Sequence, residues 1–378
     1  MNAPLIPQAN PGAAFRSRRD ALLKAAADVL DGGWYINGKQ VRQFEESFAT
    51  FCSVKHAVGV GNGTDAIEVA LRALGIGKGG LVFTVSHTAV ATVAAIECAG
   101  ATPVLVDVDP VTYTMSPESL AKALEAARAG RYPGKPAAVL PVHLYGCCAD
   151  LDAIRTVAGE LPLIEDCAQA HGAAYKGRPA GVHRHRRDVS FYPTKNLGAV
   201  GDGGCVVTSD DALAERIRSV REYGWRTHYL SSEPGINTRL DELQAAFLNV
   251  LLPELPAKNA KRARWRQLYA VNCPALPGLV LPTFRMPWNR FTICMSSNAR
   301  IATRCKGGSA TGAWALPSTT PSRCIFRMPT GAAWRSRRTA CPLPRRSCRA
   351  SSACPCIPNS PKPTPLPSPE ASAMSFPL

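Results

Sequence analysis

Leu161-Pro162-Leu163-Ile164-Glu165-Asp166-Cys167-Ala168-Gln169-Ala170-His171-Gly172, followed downstream by Ser190-Phe191-Tyr192-Pro193-Thr194-Lys195-Asn196, decides how this 378-residue chain is read. The first stretch begins as a short apolar run and ends in two carboxylates and small turn-forming residues, the pattern of a buried strand delivering polar groups at its carboxyl end. Similar runs occur at Ala57–Val60, Pro103–Val108 and Ala137–Val142. Helical periods lie at Ala66–Leu74, Val90–Cys98, Asp211–Glu222 and Asp241–Leu252. Strand, helix, strand in succession predicts an α/β fold, a parallel sheet with helices on both faces. Ligands of such sheets bind beyond the carboxyl ends of the strands, where Gly61-Asn62-Gly63-Thr64, His143 and Asp166 fall.

Chemistry follows from what stands at those ends. A lysine amine can hold an aldehyde cofactor as a Schiff base, and an Asp can pair with the nitrogen of a pyridinium ring and keep the ring an electron sink. Lys195 and Asp166 are therefore candidates for holding pyridoxal 5'-phosphate (PLP). Lys195 lies between Ser-Phe-Tyr and the glycine-rich stretch Gly198–Gly204, which leaves room for a cofactor, but a surface lysine in a loop reads the same way. Asp166 reads equally as the N-cap of a following helix. Gly63 and Thr64 suit a phosphate cradle at a helix N-terminus, or a plain turn and cap. Gln169 and His171 line a ring edge or are turn residues.

Taken together, Gly33-Trp34-Tyr35-Ile36-x-Gly38, Gly63-Thr64, Pro141-Val142-His143-Leu144-Tyr145-Gly146, Glu165-Asp166-x-x-Gln169, Ser190-Phe191-x-x-x-Lys195-Asn196 and Gly235-Ile236-Asn237-x-Arg239-x-Asp241-Glu242-x-Gln244-Ala245-Ala246 have the order and spacing of one family. From about residue 15 to 282 the chain resembles the DegT/DnrJ/StrS-type sugar aminotransferases, PLP enzymes with the fold of aspartate aminotransferase. The resemblance implies a three-layer large domain with a mostly parallel sheet, here 1–254 with an N-terminal arm, and a small C-terminal α/β domain beginning at 255–282.

It further implies that Lys195 forms the Schiff base and shuttles a proton between the substrate Cα and the cofactor C4′. Asp166 would pair with the ring nitrogen and Gln169 with the ring hydroxyl side. Gly63, Thr64 and Ser190 would hold the phosphate, with Asn237 reaching in from the other subunit of a homodimer. Many relatives carry an aromatic at the Ala89 position, so His87 is expected to cover the ring here. Glutamate and a nucleotide-diphosphate-linked keto-sugar would be the substrates. A related dehydratase branch replaces the lysine with histidine, and Lys195 argues against it.

The chain departs from that pattern in three places. Gly80-Leu81 replaces an acidic pair and is read as a surface turn. Val182-His183-Arg184-His185-Arg186-Arg187-Asp188-Val189 replaces a small, apolar, buried stretch, and its charges would be costly to desolvate. Read one base later, the same nucleotides permit Ser-Ile-Gly-Ile-Ala-Ala-Thr-Phe, close to the family's Ser-x-Gly-Asp-Ala-Ala-x-Phe, so a compensated frameshift over 182–189 is expected. Third, residues 283–378 lose all periodicity and crowd Pro, Ser, Arg and Cys together. Read two bases later, Pro317–Arg327 permits Ile-His-Tyr-Pro-Val-Pro-Val-His-Leu-Gln, a motif of the missing small domain, so the frame is expected to be lost near Thr283.

Composition sets the outer bounds. The net charge is +16, but residues 284–378 hold 14 Lys and Arg against the single acid Glu370, so the first three-quarters are nearly neutral. Charge therefore says little about partners, and nucleic-acid binding through the tail is the weaker alternative, as is a catalytically impaired or regulatory member of the family. Seven of the 14 cysteines lie in that tail, where Cys354-Pro355-Cys356 lacks a zinc-knuckle spacing, so no metal is expected. No apolar run spans a bilayer and no signal-peptide layout opens the chain, so a cytoplasmic enzyme without membrane contact is expected.

Overall fold

In the computed structural model, the structure describes residues 9–176, 178–179, 186–227, 229–272, 279–280 and 298–299. Seven strands build the main sheet: β1 (His56–Val60), β2 (Gly80–Val85), β3 (Thr102–Val106), β4 (Lys135–Leu140), β5 (Ile164–Asp166), β6 (Arg186–Ser190) and β7 (Gly204–Thr208). β3, β2 and β4 pair in parallel, as do β5 and β6. Parallel bridges Val139↔Leu163 and Val142↔Asp166 join β4 to β5. β7 runs antiparallel to both β6 and β1 and closes the order β3-β2-β4-β5-β6-β7-β1. The sheet is mostly parallel, as expected.

Ten helices accompany it among the described residues: α1 (Pro11–Arg16), α2 (Arg19–Gly32), α3 (Lys39–Cys52), α4 (Gly63–Ala73), α5 (Val90–Cys98), α6 (Pro117–Arg128), α7 (Leu151–Ala158), α8 (Asp211–Val220), α9 (Glu242–Leu251) and α10 (Leu255–Asn272). Strand alternation divides their packing between two faces. Val58, Val60 and Val206 point into a core with α4, α5, α6 and α8, whereas Ala57, Cys205 and Val207 point into a second core with α2, α3 and α9. Phe44 and Phe48 of α3 meet Phe191 edge to face there, each with centroids 5.2 Å away. Glu242, the first residue of α9, accepts the amides of Gly38, Gln40 and Val41 at 2.7, 2.9 and 2.9 Å and so caps α3. That cap fastens the N-terminal segment to the domain.

Two readings of the sequence are corrected. Gly80-Leu81 is no surface turn: Gly80 opens β2, and Leu81 is fully buried in the first core. The glycines before it announced a turn, but the turn ends one residue earlier. Asp166 caps no helix. Its Oδ1 accepts from the amide of Ala168 at 3.0 Å, a turn of its own making, and no helix starts beyond it before Phe191 among the described residues.

Of the departing segment, residues 182–185 lie outside the described residues, as do 283–297 and 300–378. Arg186–Ser190 do form a core strand, with Arg187 and Asp188 buried. Arg187 donates to the carbonyl of Cys52 at 3.0 Å, but its Nε and both carboxylate oxygens of Asp188 find no hydrogen-bond partner. The desolvation cost read from the sequence is visible in the fold.

Candidate active site

Four chain segments converge where β1, β5 and β6 end. The first is the turn from β1 into α4. Asn62 caps α4, its Oδ1 accepting from the Asp65 amide at 2.9 Å. Gly61 donates to Thr238 Oγ1 at 2.8 Å, and that hydroxyl donates to Asp65 Oδ2 at 2.6 Å, which fixes the turn. The first amides of a helix have no partner within it, so those of Gly63 and Thr64 are available to an anion.

Ser190, at the end of β6, forms the opposite wall. A Cβ added to Gly63 would collide with the Ser190 Cβ and lie 2.9 Å from its Oγ. Only glycine lets α4 begin this close to Ser190. Gly204 of β7 plays the same part behind it, since a Cβ there would meet the Asn62 carbonyl and lie 2.9 Å from the Gly63 amide nitrogen. Two strands and a helix start are thus packed without side chains between them, leaving a cradle of amides and a hydroxyl.

Asp166 ends β5 with only 6% of its surface exposed. Its Oδ2 accepts from Thr92 Oγ1 of α5 at 2.9 Å, and Thr92 in turn lies 2.8 Å from Thr88 Oγ1. The carboxylate is held on both oxygens, by Thr92 and by Ala168. Lys195 stands in the turn after β6, its amide donating to the Tyr192 carbonyl at 2.8 Å. Burial lowers its pKa below the usual lysine value, and the Asp166 carboxylate partly offsets this, so the two groups share one electrostatic neighbourhood.

The other sequence candidates fall into place around them. Gln169 accepts the Tyr145 amide on its Oε1 at 3.0 Å, which turns its amide in a defined direction. His87 follows β2 and meets Tyr113 and Tyr145 edge to face, with centroids 6.2 and 6.0 Å away, while burial lowers its pKa and keeps the ring neutral. Asn237 is exposed, bridged through its backbone to Glu222, and no side-chain hydrogen bond joins it to the other candidates among the described residues. His143 does not belong to the group. It is fully buried, accepts the Ala149 amide on Nδ1 at 3.0 Å, and so carries its proton on Nε2, 2.8 Å from Glu165 Oε2. Glu165 and Asp166 point to opposite faces of β5, and His143 follows the former. Cys167 completes a His143–Glu165–Cys167 group within 4.8 Å, but with both imidazole nitrogens engaged it reads as a structural contact.

Thr92 escaped the sequence reading because a threonine in the apolar run Val90–Cys98 gives no periodic signal. The site fits PLP by the chemistry of its donors. Gly63, Thr64 and Ser190 offer amides and hydroxyls to a phosphate, Asp166 a braced carboxylate to a ring nitrogen, and Lys195 a partly buried amine to an aldehyde.

Residues 17–307 match the profile of the DegT/DnrJ/EryC1/StrS aminotransferase family. The erythromycin biosynthesis sensory transduction protein EryC1 of Saccharopolyspora erythraea is 44% identical over 285 residues, which cover 75% of each chain. The dTDP-3-amino-3,4,6-trideoxy-alpha-D-glucose transaminase of Streptomyces venezuelae is 43% identical over 296 residues, 77% of this chain and 76% of that one. Among solved structures, DesV of S. venezuelae, crystallised with a ketimine intermediate, superposes with a TM-score of 0.75 at 40% identity over 81% of both chains.

Proposed function

The chain belongs to the DegT/DnrJ/EryC1/StrS aminotransferase family, and from that premise we propose that it transfers an amino group from glutamate to a nucleotide-diphosphate-linked keto-sugar, using PLP in a homodimer. The observation that carries the reading is the convergence of the Gly63–Ser190 cradle, the braced Asp166 and the partly buried Lys195 at one end of the sheet. When bound, PLP supplies an electron sink that stabilises negative charge at the carbon bearing the amine.

The chain's own residues set up that chemistry. Thr64, Ser190 and the first amides of α4 bind and orient the phosphate. Asp166, fixed by Thr92 Oγ1 and the Ala168 amide, holds a proton at the ring nitrogen and keeps the ring cationic. Lys195, whose pKa burial lowers below the usual lysine value, would hold the aldehyde of the cofactor, and its Nζ would be the group placed to carry the proton between substrate and cofactor. Gln169 orients the hydroxyl edge, and the neutral His87 covers one face. Asn237, exposed in the single chain, reaches the phosphate of the neighbouring subunit.

Purified full-length protein with added PLP is expected to develop a visible absorbance band that Lys195→Ala lacks. Borohydride reduction followed by peptide mapping should place the cofactor on Lys195. With glutamate, a panel of dTDP- and UDP-linked keto-sugars should then yield one amino-sugar. A band that survives Lys195→Ala, or a reduced cofactor on another lysine, overturns the assignment.

A further inference from the structure

Lys195 is held from behind by a closed run of hydrogen bonds that reaches a helix outside the sheet. The residue after it, Asn196, donates from Nδ2 to Asn259 Oδ1 at 2.7 Å. Asn259 donates from its own Nδ2 to the His171 carbonyl at 2.8 Å. His171 accepts the Leu197 amide on Nδ1 at 3.1 Å, which returns the run to the lysine turn. All three side chains are buried, with 6%, 6% and 3% of their surfaces exposed for Asn196, Asn259 and His171. Burial, and then the nearby Lys195, push the His171 pKa down to about 3, so its ring stays neutral and its Nδ1 remains an acceptor. The ring also lies 5.8 Å from that of Phe191, which fixes its plane.

This geometry has a direction. His171 closes the segment that begins at Asp166, and Asn196–Leu197 follow Lys195 directly. Asn259 binds one end of each. A single amide therefore ties the carboxylate's strand end to the amine's turn, and it comes from α10, a helix the sequence places at the start of a different domain. We infer that Asn259 is a positioning residue for Lys195, holding the lysine turn against the Asp166 strand end and coupling both to α10. The inference rests on the assignment of Lys195 as the cofactor-binding amine.

Full-length protein without cofactor provides the test. Lys195 is acylated with a small anhydride across a pH range and located by peptide mass spectrometry, with exposed Lys24 and Lys122 as internal references. In Asn259→Ala, the turn should open more often and Lys195 should react about tenfold faster at high pH, a change equal to about 1.4 kcal/mol of local opening. Its midpoint should also move up toward the ordinary lysine value, while the rates of the reference lysines should not change. Asn196→Ala should reproduce the effect, and the double variant should add nothing further. If Asn259→Ala does not fold, Asn196→Ala cuts the same bond from the loop side and carries the test. A folded variant with wild-type rate and midpoint at Lys195 overturns the inference, as does an equal change at every lysine. The expected labelling changes in a protein that gives no PLP band would sink the cofactor assignment while upholding the positioning role.

Discussion

Gly63 shows how a single position makes the site possible. With Ser190 Oγ 2.9 Å from where its Cβ would stand, Gly63→Ala must push α4 away from β6. It should weaken PLP binding about tenfold or more, read by titration of the visible band, with far-ultraviolet circular dichroism unchanged. An unchanged affinity would mean that the phosphate lies elsewhere. Thr92→Val removes one of the two donors to Asp166 and should cost about 1.5–3 kcal/mol of PLP affinity, the worth of a hydrogen bond to a charged group. Lys195 and Asp166 were legible because their residue types announce chemistry at strand ends. Thr92 and Asn259 were not, since their roles depend on which face of a helix meets the site. His143 falls at a strand end like Asp166 but stands one residue out of phase, since Val142 is the residue bridged to Asp166, and so faces the other way.

At the scale of the element, β6 is a strand that buries charged residues, Arg187 and Asp188. β7 sets Val207 and Val206 against these two, whereas β5 sets Glu165 and Asp166 against them, and the Arg187 Nε and both Asp188 carboxylate oxygens have no hydrogen-bond partner. Burial first, then Asp166 and Glu165, raise the Asp188 pKa well above the carboxylate value, so the folded chain keeps a proton that the unfolded chain releases. Stability is therefore greatest below the unfolded pKa of about 4 and is lost as pH rises from there to the folded value. Asp188→Asn removes that loss, so its gain in urea unfolding should grow as pH rises above about 4. A pH-independent difference would show that the carboxyl is not buried neutral. Replacing 182–189 by Ser-Ile-Gly-Ile-Ala-Ala-Thr-Phe should stabilise further, by removing Arg187 as well, and should raise the melting temperature above that of Asp188→Asn alone. The strands β1, β3, β4 and β5 were legible from apolar runs with turn signals. β2 was not, because glycines crowd its start, and β7 was hidden behind Gly198–Gly204.

At the scale of the whole molecule, the sequence changes character near Thr283. The order β3-β2-β4-β5-β6-β7-β1 comes from the structure, whereas the alternating periods announced the parallel α/β class and the strands β1, β3, β4 and β5. The antiparallel β7 was not announced, because no period reveals a strand's direction. The similarity to the erythromycin biosynthesis relative covers 75% of each chain. We propose, from the loss of acidic residues and of periodicity after 283, that the reading frame shifts near Thr283. If the family's small domain closes the site against water, the written chain should bind PLP through residues of the large domain yet turn over slowly. The product of a gene restored in frame from Thr283 should form the same band and raise kcat by about a hundredfold or more, the scale of an active site completed by closure. Single-turnover reduction of the band by glutamate measures both proteins directly. Equal rates would show that the large domain alone carries the reaction and that the C-terminal quarter serves another purpose.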